Sequence, residues 1–234
     1  MTILLLETAT EVCSAAIVAD SKVLAQRRSD EPNAHSSRLA VFIDEMLAEL
    51  GLKASALDAV CVSSGPGSYT GLRIGVSTAK GLCYGLQVPL LSVPTLSSMA
   101  LWYYAQHPDY QGAVCPMVDA RRMECYTLIA KRDGQQLVEL KPTSADIVEE
   151  GIYDRYLDDG EVVFIGNGAA KTRQVLGSHP NARFDDSFAI SAIGMASEAE
   201  RRLAQGRVED VAYFEPFYLK DFVAKKSIVR GLRN

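Results

Sequence analysis

Histidine is scarce in this chain, and its three copies (His35, His107, His179) stand far apart. A zinc site of the His-x-x-x-His kind on one helical face is excluded, because the residue four after His35 is Leu39. Paired cysteines are missing as well. Cys13, Cys61, Cys83, Cys115 and Cys125 are odd in number and lie singly among apolar neighbours, which reads as buried thiols in a reducing cytoplasm. An excess of positive charge is lacking too: the net charge of −5 argues against a general nucleic-acid binder. No apolar run reaches membrane-spanning length. Met1-Thr2-Ile3-Leu4 opens directly into a strand without a basic leader. A Gly-x-Ser-x-Gly elbow is absent, so a peptidase reading finds no nucleophile here.

What is present is a repeated α/β order. Ile3–Leu6, Val12–Val18 and Lys22–Arg28 read as three strands joined by tight turns. Leu39, Phe42, Ile43, Met46, Leu47 and Leu50 then recur at helical spacing. Strand 59–62, a helix ending near Leu86, strand 90–93 and a third helix capped by Thr95 or Ser97 complete the first series. A second, shortened series begins at Gly112: strands 113–118, 124–131 and 136–140, a helix through Ile147, strand 162–165, a helix to Leu176 and a helix from Ser191 to Leu203. The break near His107-Pro108-Asp109 divides the chain into lobes 1–107 and 108–234. The second ends in an extended arm, Glu215–Lys220, and a basic tail (Lys220, Lys225, Lys226, Arg230, Arg233). That tail reads as a solvated end, with docking on an acidic partner or RNA as the sharper alternative.

The most deliberate stretch is Ser63–Gly75, a glycine-rich turn between a strand and a helix. A phosphate loop of the Walker A type fails at Thr70 and Leu72, and a dinucleotide fingerprint fails at Thr70. Gly71, Gly75 and Ala79 fall four apart and make a smooth strip on one helix face. The residues alone leave a structural turn and a ligand loop open on equal terms.

Glu7-Thr8-Ala9-Thr10, Gly65-Pro66-Gly67-Ser68-Tyr69-Thr70-Gly71-Leu72-Arg73-Ile74-Gly75, Asp119-Ala120-Arg121 with Glu124-Cys125-Tyr126, and Pro216-Phe217-Tyr218-Leu219-Lys220 resemble, in residues and spacing, the TsaB family, also called YeaZ. The resemblance implies an actin-like, Hsp70-like ATPase (ASKHA) fold of two related α/β lobes, the C-terminal one truncated. It implies a cytoplasmic partner of TsaD, which, with TsaE, installs the threonylcarbamoyl group on the tRNA adenosine beside the anticodon. TsaD carries the catalysis in that pair. The resemblance further implies that the first two helices form a bundle with the partner, and that the chain pairs with itself when alone.

Set beside that resemblance, the first hairpin has Glu7-Thr8-Ala9-Thr10 where actin-like folds place a glycine-rich, Asp-led phosphate turn. Independent ATP turnover is therefore not expected, and no catalytic residue or metal ligand is assigned. Contact with a nucleotide or a partner loop falls to Thr8, Thr10, Gly65, Gly67 and Ser68, with ATP or ADP held only at the interface of a complex. Asp119, Arg121 and Glu124 read as an ion-paired turn at the mouth between lobes. The partner surface is expected to use Leu39, Phe42, Ile43 and Met46 with the strip Gly71 and Gly75. Two enzyme readings stand as alternatives, a nucleotide-dependent hydrolase or kinase of this fold and a glycoprotease-like peptidase.

Overall fold

Strand β1 (Thr2–Glu7) buries five of its six residues, the mark of a strand covered on both faces. It pairs antiparallel with β2 (Cys13–Ala19), which pairs in turn with β3 (Lys22–Ser29). Helix α1 (Ala34–Glu49) carries the chain across to β4 (Ala59–Ser63), parallel to β1. Helix α2 (Tyr69–Leu86) returns it to β5 (Leu90–Val93), parallel to β4. The sheet order is β3-β2-β1-β4-β5. The computed structural model describes residues 1–31, 33–134 and 136–220; the tail lysines and arginines beyond Lys220 lie outside the described residues.

After α3 (Thr95–Gln106) the same topology recurs. It comprises β6 (Ala113–Asp119), β7 (Glu124–Asp133), β8 (Gln136–Ile147), α4 (Asp154–Asp158), β9 (Val162–Ile165), α5 (Ala169–Leu176) and β10 (Ala182–Asp185). The order β8-β7-β6-β9-β10 matches that of the first sheet strand for strand. A short 3-10 turn (Ala192–Met195) and α6 (Ala196–Ala204) close the regular structure.

Two expectations are corrected by the second sheet and its surroundings. The segment through Ile147 is the end of a long strand, not a helix. Tyr126 pairs with Ala145 and Glu124 with Ile147, and Asp146 is fixed by Thr127, Ser144 and Tyr153 hydroxyls and by Lys141. The boundary at 107/108 separates the sheets but not the packing. Helix α3 of the first series packs its Leu96, Met99 and Tyr103 on the second sheet. Ala192, Met195 and Ala199 of the second series pack on Ile3, Leu5 and Leu91 of the first. Each lobe is therefore completed by an element from the other.

Leu39, Phe42, Ile43 and Met46 form the underside of α1, packed with Leu4, Leu6, Ile17 and Val62 in the core of the first lobe. Their exposures are 1%, 3%, 7% and 0%. Burying each such side chain contributes about 2 kcal/mol to the fold, and none presents a free surface to a partner. This corrects their assignment to the partner surface. The same apolar stripe that makes a helix amphipathic is consumed by its own sheet. All five cysteines are buried free thiols.

Candidate functional site: the cleft between the lobes

Glu7, Thr8, Ala9 and Thr10 turn the chain from β1 into β2 at the floor of a cleft of about 630 Å³. Glu7 is fully buried. Its Oε1 accepts from the Ala9 amide at 2.7 Å and from Ser63 Oγ at 2.8 Å, and its Oε2 has no partner. Burial drives its pKa up to about 7 against the pull of those hydrogen bonds. The Ala9 carbonyl is used as well, accepting from the Ser68 amide at 2.6 Å. Both backbone groups of Ala9 are thus satisfied inside the protein.

The glycine turn is cut to fit that hairpin. A Cβ on Gly67 would lie 2.2 Å from the Ala9 carbonyl oxygen, one on Gly71 2.1 Å from that of Thr8, and one on Gly75 2.2 Å from Thr8 Oγ1. Gly65 has φ +107° and backs onto the Phe217 carbonyl, a conformation open to glycine. Its amide donates to Thr95 Oγ1 and its carbonyl accepts from the Thr95 amide, tying the turn to the start of α3. Ser68 caps α2 by accepting from the Gly71 amide. Gly71 and Gly75 therefore face the chain's own first hairpin, and Ala79 the core of the first lobe, which corrects the placement of Gly71 and Gly75 on a partner surface.

Of the five residues assigned to nucleotide or loop contact, Thr10, Gly67 and Ser68 line the cleft. Thr8 and Gly65 are buried beneath it. The second lobe contributes Asp119, Ala120, Arg121, Tyr126 and Asn167. Asp119 pairs with Lys171 and accepts from the Arg121 amide, and Glu124 pairs with Lys220. Burial raises the pKa of Asp119, but Lys171 and the Arg121 amide outweigh it and the net is a lowering. The turn is ion-paired as expected, with lysines from elsewhere as the partners.

Several residues reach the cleft that the sequence does not assign to a site. His35 at the start of α1 lines the cleft with a buried, unpartnered Nε2. Glu11 Oε2 accepts from Asn167 Nδ2 across the cleft at 2.6 Å. Phe217 and Tyr218 of the arm form one wall; their apolar run was visible in sequence, but its destination was not. Among the described residues, no three His, Cys, Asp or Glu side chains are grouped to hold a metal ion, and no helix is long and apolar enough to cross a membrane.

The outer side of α1 and α2 is a separate surface. Both helices cover one face of the first sheet, so their outward faces share one side of the lobe. Val41 is 40% and Tyr84 75% exposed. Gly81 and Gly85, four apart like the inner pair, have nothing within 4 Å of a built Cβ.

Two lobes of matched topology around a cleft define the actin-like ATPase class of fold. The activator of 2-hydroxyisocaproyl-CoA dehydratase from Clostridium difficile, with bound ADPNP, shares it at a TM-score of 0.50 and 11% identity, over 90% of this chain and 99% of that one. The family model for TsaD, tRNA N6-adenosine threonylcarbamoyltransferase, matches residues 29–228. The tRNA threonylcarbamoyladenosine biosynthesis protein TsaB of Escherichia coli (strain K12) is 31% identical over 231 residues, 97% of this chain and 98% of that protein. YeaZ from Pseudomonas aeruginosa superposes with a TM-score of 0.82 at 27% identity, over 93% of this chain and 99% of that one. The chain belongs to the TsaB family.

Proposed function

We propose that this chain is the non-catalytic subunit that binds TsaD and supports it in threonylcarbamoylation of tRNA. The observation that carries the reading is the closed first hairpin. In a nucleotide-binding protein of this fold the hairpin would offer backbone amides to a phosphate. Here the Ala9 amide is held by Glu7, and the Ala9 carbonyl by the Ser68 amide. Gly67 is pressed against the same residue. A phosphate would have to displace a buried, hydrogen-bonded carboxyl group, so ATP turnover by the chain alone is not part of the function. Nucleotide belongs to the interface of the complex, and tRNA is reached through the complex, with TsaE as the third protein.

The docking surface in this reading is the outward face of α1 and α2, centred on Val41, Tyr84, Gly81 and Gly85, in place of the buried stripe. An apolar anchor beside a smooth glycine pair suits close helix packing. In the absence of TsaD the same face serves a second copy of the chain. The test is reconstitution: purified chain, TsaD and TsaE with threonylcarbamoyl-adenylate and tRNA, scored for modified adenosine. Modification that does not depend on this chain overturns the proposal, as does steady ATP turnover by the chain alone. Val41→Asp with Tyr84→Ala is expected to weaken association with TsaD at least tenfold, and unchanged affinity removes this face.

A further inference from the structure

We propose that the C-terminal arm, residues 209–220, is a strap that fastens the two lobes across the mouth of the cleft, rooted in the first lobe and clasped to the second by the Lys220–Glu124 ion pair. The inference stands apart from the choice of partner, since it rests on contacts within the chain.

The root is built along its whole length. The Glu209 amide donates to the Leu90 carbonyl at 2.8 Å, and Glu209 Oε1 accepts from Ser92 Oγ at 2.6 Å. Asp210 closes a turn by accepting from the Ala212 and Tyr213 amides. Val211 and Phe214 pack into the first-lobe core. Lys80 of α2 donates to the carbonyls of Ala212 and Phe214 at 3.0 and 3.1 Å. Further on, the Phe217 amide donates to the Ser64 carbonyl at 2.7 Å. Tyr218 then lies against Tyr69 with ring centroids 4.9 Å apart, and the Arg73 guanidinium lies over the Tyr69 ring at 4.5 Å. A backbone anchored at this many points cannot drift as a free end.

The clasp is of another kind. Lys220 reaches over the cleft wall to Glu124 on β7, and the lysine is 46% exposed. The second tie across the mouth, Asn167 to Glu11, is likewise exposed. Exposed polar pairs of this sort contribute little and weaken with salt. Next to these ties the lobes are joined by buried apolar surface, with Val12, the neighbour of Glu11, set among Met99, Val118 and Ile165. A buried apolar joint that stays packed while exposed polar ties can part is the arrangement of a hinge with a releasable catch. When the catch opens, the strap stays with the first lobe.

The experiment uses the full chain carrying spin labels at Ala40→Cys on α1 and Gln174→Cys on α5. Both sites are exposed, and the five native thiols are buried. Distance distributions are recorded by pulsed dipolar spectroscopy for the labelled protein, for Lys220→Glu, and for Lys220→Glu combined with Glu124→Lys. Lys220→Glu is expected to shift the distribution toward longer separations and broaden it. The charge-swapped pair is expected to restore the original distribution, and 1 M salt to reproduce the shift in the unswapped protein. Identical distributions in all three proteins overturn the strap. A shift that the swapped pair does not reverse also overturns it, because the Lys220–Glu124 pair is then not the catch. Hydrogen exchange at the Phe217 amide is the second readout: protection retained in Lys220→Glu is required, and its loss overturns the claim that the root is independent of the clasp.

Discussion

Helix α2 carries two glycine pairs with the same four-residue spacing and opposite surroundings. Gly71 and Gly75 are buried against Thr8, so tightly that a methyl group has no room. Gly81 and Gly85 stand in open space. Corresponding members stand ten residues apart, about two and three-quarter helical turns, so the second pair is rotated away from the hairpin. The difference teaches that a smooth strip on a helix says only that something comes close. Which neighbour it is depends on where the helix passes the sheet, and the inner strip has already been used by the chain's own hairpin. The same contrast runs through α1, where Phe42 is buried and its neighbour Val41 is 40% exposed.

The largest expected effect tests the α1 half of this contrast. Phe42→Ala removes a ring from a packed core and should destabilise the chain by about 4 kcal/mol in urea unfolding. Val41→Ala should change stability by less than about 0.5 kcal/mol. Comparable losses at the two positions would break the division into inner and outer faces. Gly71→Ala comes next. Its methyl would meet the Thr8 carbonyl, and forcing the hairpin off the turn should cost about 3 kcal/mol. A Gly71→Ala protein as stable as the parent would show that the hairpin is not clamped.

Glu7 sharpens the account of what the inner strip covers. Its pKa is about 7 in the folded chain against 4.5 as the reference, with burial as the leading cause. The folded state therefore keeps a proton that the unfolded state gives up. The sign follows: the contribution is fully present below pH 4.5 and is lost as pH rises through about 7. Over that window the site costs about 3 kcal/mol of stability. Glu7→Gln keeps an acceptor for the Ala9 amide and Ser63 while removing the ionisation. The stability of Glu7→Gln relative to the parent is expected to climb between pH 5 and pH 8 and then level off. A difference that is flat with pH would mean that Glu7 is not buried in this way.

Much of the fold was legible. Three strands joined by tight turns, the amphipathic α1 and the strand–turn–helix at Ser63–Gly75 each carry a local signal of period or turn chemistry, and the repeat of the order exposed the two lobes. The segment before Ile147 was misread because Thr143, Ser144 and Asp146 carry no strand alternation. The strand is fixed by its pairing with β7, and Asp146 by the hydroxyls of Thr127 and Tyr153, none of which the local pattern announces. The site was legible in its hairpin and turn, which are local, and not in its walls. His35, Asn167 and Tyr218 reach the cleft only through tertiary packing, and nothing in their neighbours announces it. The residues expected on the partner surface are buried instead, for one physical reason. Periodicity finds the apolar face of a helix, and that face belongs first to the core.

The smallest effect decides most directly between the two strips. Gly81 lies in the interior of α2 with nothing near its missing side chain, so alanine there gains helix propensity without a clash. Gly81→Ala should raise the stability of the isolated chain by about 1 kcal/mol, opposite in sign to Gly71→Ala. If α2 packs closely on TsaD through this strip, the same methyl that stabilises the free chain must obstruct the complex, and affinity measured by titration calorimetry should fall while the melting temperature of the free chain rises. Both changes are read from one protein, so misfolding cannot account for the loss. A variant that is more stable and binds as well as the parent would leave the inner strip as the structural one and strip the outer one of any role in docking. A variant that is less stable would show that the outer face of α2 is not free, and the contrast between the two pairs would fall with it.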